Sequence, residues 1–394
     1  MTPSRQFPRT AATLAALAAL ASVGVGAQAQ TQGVSKTEIV IGTIQDLSGP
    51  VSAYGKQARN GAQLRVDEIN EQGGIHGRKL RLVVEDHAYD PKRAVLAAQK
   101  LVNQDKVFLI ASHIGTPQNN AAMPIQFDKN VINFMPLSAG REMFEPVHKL
   151  KFANVAAYYD TLKFNAPRLF KEVGAKKACA LYQDDDYGLE VVRGAEAGLK
   201  DAGVELAEKT SYKRGATDFS SQVAKMKSSN CDFVVLGTII RETVGAMAEA
   251  AKVGWKPTFL TSQAAYTDLI HKLGGKATEG LYAVMTIPFP YLDDSPQPVR
   301  FWAAKYKTRF NEEPSTYAVG TYQVVDIFAR AAQKAGPNLT TESFIKAMET
   351  MGTVPPDIFG SPPLTWTATQ RLGSTQSRLS QIKDGRWKVI SEYR

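Results

Sequence analysis

Along most of the chain, short apolar runs alternate with longer segments whose apolar residues recur every three or four positions. The short runs, such as 39–44 and 107–110, are typical of strands, and the second has the continuous apolar character of a strand buried on both faces of a parallel sheet. In a longer segment, Ala58, Ala62 and Val66 repeat with the period of an amphipathic helix. The pattern therefore predicts successive β-α-β units.

The same alternation begins again near residue 177 and continues to about residue 286. Two series of similar size predict an α/β fold with two doubly wound, parallel-sheet lobes. The remaining stretch is proline-rich and then helical, and we expect it to pack back onto both lobes so that the chain crosses between them more than once. The predicted boundaries are 36–154 plus 286–356 for the first lobe and 155–285 plus 357–394 for the second.

The first 29 residues have the composition of a cleavable export signal. Arg5 and Arg9 precede an apolar, alanine-rich stretch over 11–25, and Ala27-Gln28-Ala29 is the small-x-small pattern of a cleavage site before Gln30. The apolar stretch is too short for a spanning helix, which needs about 20 strongly apolar residues. We expect an exported, soluble protein of the periplasm; the alternative is a buried N-terminal helix.

Charge and motifs exclude several classes of function. The formal net charge of +9 falls to +7 without the two leader arginines, and no basic run marks a nucleic-acid-binding tail. The chain lacks a phosphate-binding loop, a dinucleotide fingerprint, an H-E-x-x-H motif and a G-x-S-x-G motif, and its five histidines show no ligand spacing. We therefore expect no catalytic residues, no metal, no cofactor and no nucleic-acid partner.

Cys179 and Cys231 are the two cysteines of the chain, and both lie in apolar runs that resemble strands. An oxidising compartment permits a disulfide between them. Neighbouring parallel strands rarely present the converging Cβ atoms that a disulfide requires, so two buried free thiols are the favoured interpretation.

Small and hydroxyl-bearing residues follow three of the predicted strands of the first lobe, at 48–55, 112–117 and 136–140. The carboxyl ends of parallel strands meet at one edge of a sheet, where this type of fold binds its ligands. Free backbone N–H groups and helix dipoles in such loops form a site suited to a carboxylate. Ordinary helix N-caps are the alternative explanation of each loop.

An ordered series of segments resembles the leucine/isoleucine/valine-binding family of periplasmic proteins. The resemblance extends from about residue 36 to the end of the chain, with every segment in the family's order. The segments are Gly42–Pro50, Gly61-Ala62 through Asp67–Asn70 to Gly73–Ile75, Glu85-Asp86 to Asp90-Pro91, Asp184–Gly188, Thr217–Ser220 and Pro363–Trp366.

The resemblance implies type I periplasmic binding lobes that are joined by a three-segment hinge and close on one small ligand. It implies that Tyr54 and Tyr187 are aromatic walls from the two lobes, with core packing as the alternative for each. It also implies a carboxylate cradle of backbone N–H and hydroxyl donors. The residues of that cradle are Gly115, Thr116, Ser138 and Ala139.

Two loops depart from the family pattern. Amino-acid binders of the family place an acidic residue where this chain has Gln263, and a neutral amide is a poor partner for a buried ammonium. The loop over 238–241 has isoleucines and Arg241 where an aromatic pair is usual. Arg241 is a candidate for a forked pair with a ligand carboxylate, and the alternative is a surface ion pair with Glu242 or Glu205.

The leading hypothesis is a monomeric solute-binding protein that delivers a small carboxylate, either an amino acid or an organic or aromatic acid, to the permease of an ABC importer of the branched-chain amino-acid type. The alternative is a sensor that presents its ligand to a chemoreceptor or another signalling partner. An enzyme is a third class, and no nucleophile–base pair supports it. The run Asp184–Asp186 lacks the spacing of a calcium loop, so solvated or capping roles are expected.

Overall fold

Two separate β-sheets organise the chain, for which a computed structural model describes residues 1–4 and 31–394. Residues Thr31–Arg394 fold as one unit. The predicted export signal beyond Ser4, together with its cleavage site, lies outside the described residues, so residues 1–29 stay a prediction.

Strands and helices alternate through both halves of the described chain, as the apolar pattern predicts. The strands are β1 (Glu38–Gln45), β2 (Lys79–Asp86), β3 (Leu109–Ala111), β4 (Ile132–Phe134), β5 (Lys151–Phe152), β6 (Ala178–Gln183), β7 (Leu206–Tyr212), β8 (Phe233–Gly237), β9 (Thr258–Thr261), β10 (Tyr282–Met285), β11 (Arg378–Lys383) and β12 (Arg386–Val389). The helices are α1 (Ser52–Glu71), α2 (Pro91–Asn103), α3 (Thr116–Asp128), α4 (Tyr158–Glu172), α5 (Asp186–Asp201), α6 (Ser220–Ser228), α7 (Ile240–Lys252), α8 (Asp268–Gly274), α9 (Gln297–Phe310), α10 (Thr316–Ala335) and α11 (Thr341–Glu349). Within the described range, no helix combines the length and the apolar character that crossing a membrane requires.

The sheet of the first lobe is parallel throughout and has the strand order β2-β1-β3-β4-β5. Every residue of β1 after Glu38 is buried, as expected of a strand covered by helices on both faces. The order turns back beside β1, so the loops after β1 and β3 open on the same crevice.

The sheet of the second lobe has the order β12-β11-β10-β9-β8-β6-β7. Strands β6 to β10 are parallel, whereas β11 and β12 form an antiparallel extension beside β10. The sequence carries two short late strand signals, at 364–366 and 387–389. The second correctly predicts β12, whereas β11 is absent from the sequence prediction. The strand predicted at 364–366 does not form, because Leu364 makes only an isolated bridge with Val354.

Helix α10 packs closely on α1, which attaches the late part of the chain to the first lobe. A Cβ atom on Gly61 would lie 2.1 Å from the carbonyl oxygen of Ala318, so only glycine permits this approach. The Thr321 hydroxyl donates a 2.7 Å hydrogen bond to the Ala58 carbonyl across the same contact. The prediction that the late helices pack back onto the earlier lobes is therefore confirmed for α10.

In the described range the chain crosses between the lobes at 153–157, 286–296 and 373–377, which agrees with a three-segment hinge. The sequence prediction assigns everything after residue 356 to the second lobe. Instead, Phe359 packs with α9 and α10, and Leu364 and Trp366 enter the core of the first lobe. The final crossing thus comes about 20 residues later than predicted, because the segment before it has no strand period and is anchored by buried side chains alone.

Cys179 and Cys231 form a disulfide, so the prediction of two free thiols is wrong. Cys179 lies in β6, but Cys231 lies in the turn between α6 and β8 rather than in a strand. The turn, in which Asn230 has a φ of 56°, brings the two Cα atoms to 5.9 Å. That separation lies within the normal range for a disulfide. The bridge closes a loop with a sequence separation of 52 residues in the second lobe.

Candidate functional site

Three loops meet at the carboxyl edge of the first sheet, as the sequence predicts. Ile114 N–H donates to the Ile44 carbonyl at 3.1 Å, and Gly115 N–H donates to the Leu137 carbonyl at 3.2 Å. These bonds continue the sheet pairing beyond the strand ends, so the loops after β3 and β4 lie side by side. Gly115 has a φ of 95°, which places the turn into α3 in the left-handed region that favours glycine.

Two hydroxyl groups stand together at the start of α3. Thr116 Oγ1 and Ser138 Oγ are 2.8 Å apart, and both residues are buried. The first-turn N–H groups of a helix have no intrahelical acceptor and carry the positive end of the helix dipole. In the described structure, Ala139 N–H also donates to no protein acceptor. The cradle residues named in the sequence analysis are thus neighbours, and their donors suit a carboxylate.

Tyr54 extends from α1 of the first lobe to the second lobe. Its ring stacks on Tyr317 with centroids 3.9 Å apart and planes 13° from parallel. Both hydroxyls donate to the carbonyl oxygen of Ala264, at 2.9 Å from Tyr54 and 3.1 Å from Tyr317. Because Ala264 follows β9, this pair of rings joins the two lobes.

Tyr187 comes from the second lobe, in the first turn of α5. Asp185 caps that helix, since its carboxylate accepts hydrogen bonds from the N–H groups of Tyr187 and Gly188, which agrees with the predicted capping role. The Tyr187 hydroxyl donates to the Thr238 carbonyl at 2.9 Å and lies 2.9 Å from Ser262 Oγ. These partners belong to the same lobe as Tyr187, so its hydroxyl is held without help from the first lobe.

These side chains surround two adjoining cavities between the lobes, of about 30 and 100 Å³. Tyr54, Tyr187 and Thr116 line the smaller cavity, whereas Ser138 and Gln263 line the larger one. The sequence analysis missed the further tyrosines of the lining, which are Tyr89, Tyr158, Tyr266 and Tyr317. Each lies just before or within the first turn of a helix, the signal that selected Tyr54 and Tyr187.

The tyrosine hydroxyls act as neutral hydrogen-bonding groups. Burial raises the pKa of Tyr54, Tyr89, Tyr158, Tyr187 and Tyr317 above the usual value for a phenol. A phenol that stays protonated can donate to a ligand oxygen and can place its ring against an apolar body. The cavities therefore combine apolar walls with a small number of donors.

Gln263 lies at the larger cavity, but its amide is only partly engaged. Its Nε2 donates to the Ala156 carbonyl of the first crossing segment at 2.9 Å. Its Oε1 is buried and has no hydrogen-bond partner in the described structure. The side chain thus offers one oxygen acceptor to the cleft and no charge.

Arg241 lines neither cavity. Its side chain is 51% exposed, and Nη2 lies 4.0 Å from Glu242 Oε1. The sequence left open whether Arg241 binds a ligand carboxylate or pairs with a neighbouring glutamate. The geometry agrees with the second alternative, with Glu242 as the partner. The Glu242 side chain, by contrast, is 1% exposed, and the sequence analysis did not select it as a site residue.

Polar contacts between the lobes hold the cleft closed in this structure. Arg141, which follows β4, makes a forked pair with Glu190 of α5, with N···O distances of 2.8 and 2.9 Å. The Arg141 guanidinium also lies 3.8 Å from the ring centroid of Tyr159. At the opposite side, Arg214 Nη1 donates to the Tyr89 carbonyl at 3.0 Å. Both sides of the cleft are therefore held by side chains of opposite lobes.

The site shows no arrangement typical of metal chemistry. Within the described residues, no group of three or more His, Cys, Asp or Glu side chains is placed to hold a metal ion. The cleft offers hydrogen-bond donors, acceptors and aromatic surfaces, which are the means of binding a small organic solute.

Comparisons with known proteins identify relatives of the chain. The sequence profile of the periplasmic binding protein family matches residues 38–386. A leucine-, isoleucine-, valine-, threonine- and alanine-binding protein of Pseudomonas aeruginosa is 29% identical over 297 residues, which are 74% of this chain and 76% of that protein.

Solved structures show the same fold. A fatty acid ABC transporter substrate-binding protein from Thermomonospora curvata matches with a TM-score of 0.84 at 23% identity, over 93% of this chain and 94% of that one. A branched-chain amino acid transporter substrate-binding protein of Streptococcus pneumoniae, in complex with isoleucine, matches with a TM-score of 0.77 at 20% identity, over 90% and 99%. The predicted type I periplasmic binding fold with two doubly wound lobes is thereby confirmed.

Proposed function

This chain belongs to the periplasmic binding protein family, whose members bind solutes rather than catalyse reactions, and we propose that it captures one small carboxylate between its lobes and delivers it to the permease of an ABC importer. The observation that carries the proposal is the pair of Thr116 and Ser138 hydroxyls beside the start of α3. A carboxylate that accepts hydrogen bonds there is held by donors alone, without an opposing charge.

The aromatic lining supports the choice of a solute with an apolar body. Tyr54, Tyr187 and Ile239 face the smaller cavity, and an aliphatic or aromatic side chain buried among them is removed from water. Because Tyr54 touches Ala264 of the other lobe, a ligand that contacts both lobes stabilises the closed arrangement over the open one. The closed form is then the one that docks on the permease.

The carboxylate cradle is tested by removing one hydroxyl. We expect Ser138→Ala to weaken the binding of the stabilising ligand by about 10- to 100-fold, because a hydrogen bond to a charged group contributes about 1.5–3 kcal/mol. Thr308→Ala, on an exposed position of α9, is the matched control. Equal affinity of Ser138→Ala and wild-type protein, measured by calorimetry, would refute the cradle.

The chemical class of the solute is tested with a panel of amino acids and organic acids in a thermal-shift assay. Any ligand that binds the folded state raises the melting temperature as its concentration exceeds its Kd. Stabilisation by leucine or valine alone would exclude organic acids, and stabilisation by aromatic or aliphatic acids without an amino group would exclude an amino-acid binder. The panel therefore decides between the two classes that the sequence leaves open.

Export to the periplasm and the choice of partner are the remaining parts of the proposal. Export is checked by fractionating cells that produce the full chain and sequencing the N-terminus of the mature protein, with cleavage expected before Gln30. Reconstituted uptake with a permease of the branched-chain amino-acid type separates transport from signalling, since a sensor that serves a chemoreceptor would support no uptake. A monomer is expected by light scattering with and without ligand.

A further inference from the structure

The walls of the cleft carry no charged side chain. Among the described residues, neither the lining of the larger cavity nor that of the smaller one includes a lysine, arginine, histidine, aspartate or glutamate. Nearby charged side chains pair with one another, Arg141 with Glu190 and Arg214 with Asp185 at 3.8 Å. A solute enclosed in these cavities is therefore surrounded by neutral side chains.

Glu242 is buried near the cleft, but it does not supply a charge to the walls. It lies three residues after Ile239, which lines the smaller cavity, yet Glu242 itself lines neither cavity. Burial also raises the pKa of the Glu242 carboxyl group above its usual value, which favours the neutral form. Its carboxyl group is therefore not placed to pair with a cationic group of a bound solute.

Gln263 places an acceptor at the larger cavity, and the orientation of its amide is fixed. Its Nε2 donates to the Ala156 carbonyl at 2.9 Å. Because a carbonyl cannot donate a hydrogen bond, the NH₂ side of the amide must face Ala156. The buried Oε1 has no hydrogen-bond partner among the described residues. Buried polar atoms nearly always have a partner, so this oxygen requires a donor from the solute.

The donor that Gln263 accepts lies close to the carboxylate of the solute. Ser138 and Gln263 line the same cavity, which has a volume of about 100 Å³. A cavity of about 150 Å³ in a protein core holds one benzene molecule. A carboxylate at Ser138 and a donor at Gln263 Oε1 are therefore separated by only a few atoms. This spacing suits a substituent on the carbon next to the carboxylate.

An ammonium and a hydroxyl are the two common donors at that carbon. The N–H donors and the helix dipole at the start of α3 compensate the negative charge of the carboxylate. No lining side chain compensates a positive charge in the same way, and a buried cation without a counter-charge is strongly unfavourable. A hydroxyl donates without a charge, whereas a 2-oxo group is only an acceptor. The lining therefore favours a hydroxyl.

We propose that the solute is a small 2-hydroxy carboxylate with an apolar side chain, and that Gln263 selects it by accepting a hydrogen bond from its hydroxyl. The inference rests on the proposed function, because it keeps the carboxylate at Thr116 and Ser138. The apolar side chain then lies against the aromatic walls, which include Tyr54 and Tyr187.

The test compares four molecules that differ only at the carbon next to the carboxylate. The probes are 2-hydroxy-4-methylpentanoate, L-leucine, 4-methylpentanoate and 2-oxo-4-methylpentanoate, titrated by calorimetry into the full exported chain at pH 7.5. We expect the hydroxy acid to bind at least 100-fold more tightly than leucine and about three- to tenfold more tightly than the other two acids. The same four groups on a phenyl skeleton, from 3-phenyllactate to L-phenylalanine, repeat the comparison for a larger side chain.

Two substitutions test whether Gln263 causes the preference. Gln263→Glu adds a negative charge and should lower the ratio of hydroxy-acid to leucine affinity at least 100-fold. Gln263→Met removes the acceptor without adding charge and should bring the ratio of hydroxy-acid to 4-methylpentanoate affinity to about one. Both variants lose the hydrogen bond to Ala156, so the difference between them reports the charge. Gln297→Glu makes the same chemical change at an exposed position of α9 and should alter no affinity.

The outcomes separate failure of this inference from failure of the proposed function. The inference is overturned if leucine or 4-methylpentanoate binds wild-type protein as tightly as the hydroxy acid, or if Gln263→Met leaves the ratios unchanged. If Ser138→Ala still weakens every probe that binds, the carboxylate cradle holds and only the selection of a hydroxyl is refuted. If no probe of either series binds, or Ser138→Ala changes no affinity, the proposed function is refuted together with the inference.

Discussion

At the edge of the first lobe the cleft meets two hydroxyls, Thr116 and Ser138, beside the start of a helix. At the edge of the second lobe it meets two acceptors, Gln263 Oε1 and the carbonyl oxygen of Ala264. Both edges are formed by the carboxyl ends of parallel strands in sheets of the same design. The difference lies in the loops alone: one set offers donors and the other offers acceptors. The fold of a doubly wound lobe therefore fixes where the binding site lies, whereas the loop residues determine whether the site offers donors or acceptors.

The lobes also differ in how they are stabilised, and removing the disulfide tests this most strongly. Both cysteines of the chain are in the second lobe. We expect Cys179→Ala combined with Cys231→Ala to lower the free energy of unfolding by about 2–5 kcal/mol, because the unfolded chain regains the freedom of a loop of about 50 residues. Chemical denaturation of the apo protein measures the loss.

Hydrogen exchange resolves which lobe is affected. Amides of β6 and β8, which flank the bridge, should exchange faster in the double variant, and amides of β1 and β3 should keep their wild-type protection. Uniform loss of protection through both sheets would contradict the view that the lobes are stabilised separately.

The pair formed by Arg141 and Glu190 links the lobes and gives the next largest effect. Glu190 is 4% exposed in the closed cleft, so loss of Arg141, itself 32% exposed, leaves a buried carboxylate without its partner. We expect Arg141→Ala to weaken ligand binding by about 2–3 kcal/mol, or roughly 30- to 150-fold, because only the closed form buries this charge. Calorimetry with the ligand identified in the panel measures the change.

Two variants sharpen this test. Arg141→Lys keeps the charge but not the fork, so its affinity should lie between those of wild-type protein and Arg141→Ala. Lys163→Ala breaks an exposed pair with Asp201 and should change affinity by less than about 1 kcal/mol. A large drop in apo stability of Arg141→Ala without a change in affinity would show that the pair supports the fold rather than closure.

The sequence predicts the fold well because apolar periodicity records which faces of each element are buried. It gives the two β-α-β series, the helices α9 to α11 and the carboxyl edge that carries Gly115, Thr116 and Ser138. The sequence prediction fails where buried residues do not follow the regular spacing of a helix or a strand. Trp366 sits in the core of the first lobe without a strand around it, so the boundary at residue 357 is wrong.

The site is less predictable, because the chemistry of a buried side chain depends on its partners. Glu242 reads as an ordinary first-turn glutamate, and nothing in the sequence shows that its carboxylate is enclosed. Its neighbour Arg241 was a candidate from the sequence because its positive charge could pair with a ligand carboxylate, but its side chain is half exposed to solvent. The disulfide is missed for a similar reason, since the turn at Asn230 that brings Cys231 towards Cys179 is a tertiary feature.

Acidic pH should change the free energy of unfolding through buried groups that differ between the two lobes. The size of this effect should lie between that of Arg141→Ala and those of the tyrosine variants. Burial lowers the pKa of His113 well below its usual 6.5 and also lowers that of His87, so the unfolded chain binds protons that the folded first lobe excludes. The free energy of unfolding should therefore fall as the pH drops below about 6.5, by up to about 1.4 kcal/mol per pH unit for each histidine. Denaturation at pH 7.5, 6.0 and 5.0 measures the slope.

Two carboxyl groups of the second lobe should contribute with the opposite sign. Burial raises the pKa of Asp185 and Glu242, so the folded state binds their protons more readily than the unfolded chain, and acid favours folding as these groups protonate. His113→Gln should flatten the acid loss, while His76→Gln, at an exposed position, should leave it unchanged. An unchanged slope in His113→Gln would show that His113 does not drive it.

The two wall tyrosines offer the smallest and most selective comparison. The Tyr54 hydroxyl donates across the cleft to Ala264, whereas the Tyr187 hydroxyl bonds to Thr238 and Ser262 within its own lobe. Replacing either by Phe removes one hydroxyl, with an effect of about 1 kcal/mol. We expect Tyr54→Phe to weaken ligand affinity about fivefold without changing apo stability, and Tyr187→Phe to lower the apo melting temperature. Identical behaviour of the two variants in both assays would mean that the closed contacts of Tyr54 persist without ligand, and that the hydroxyl has no part in closure.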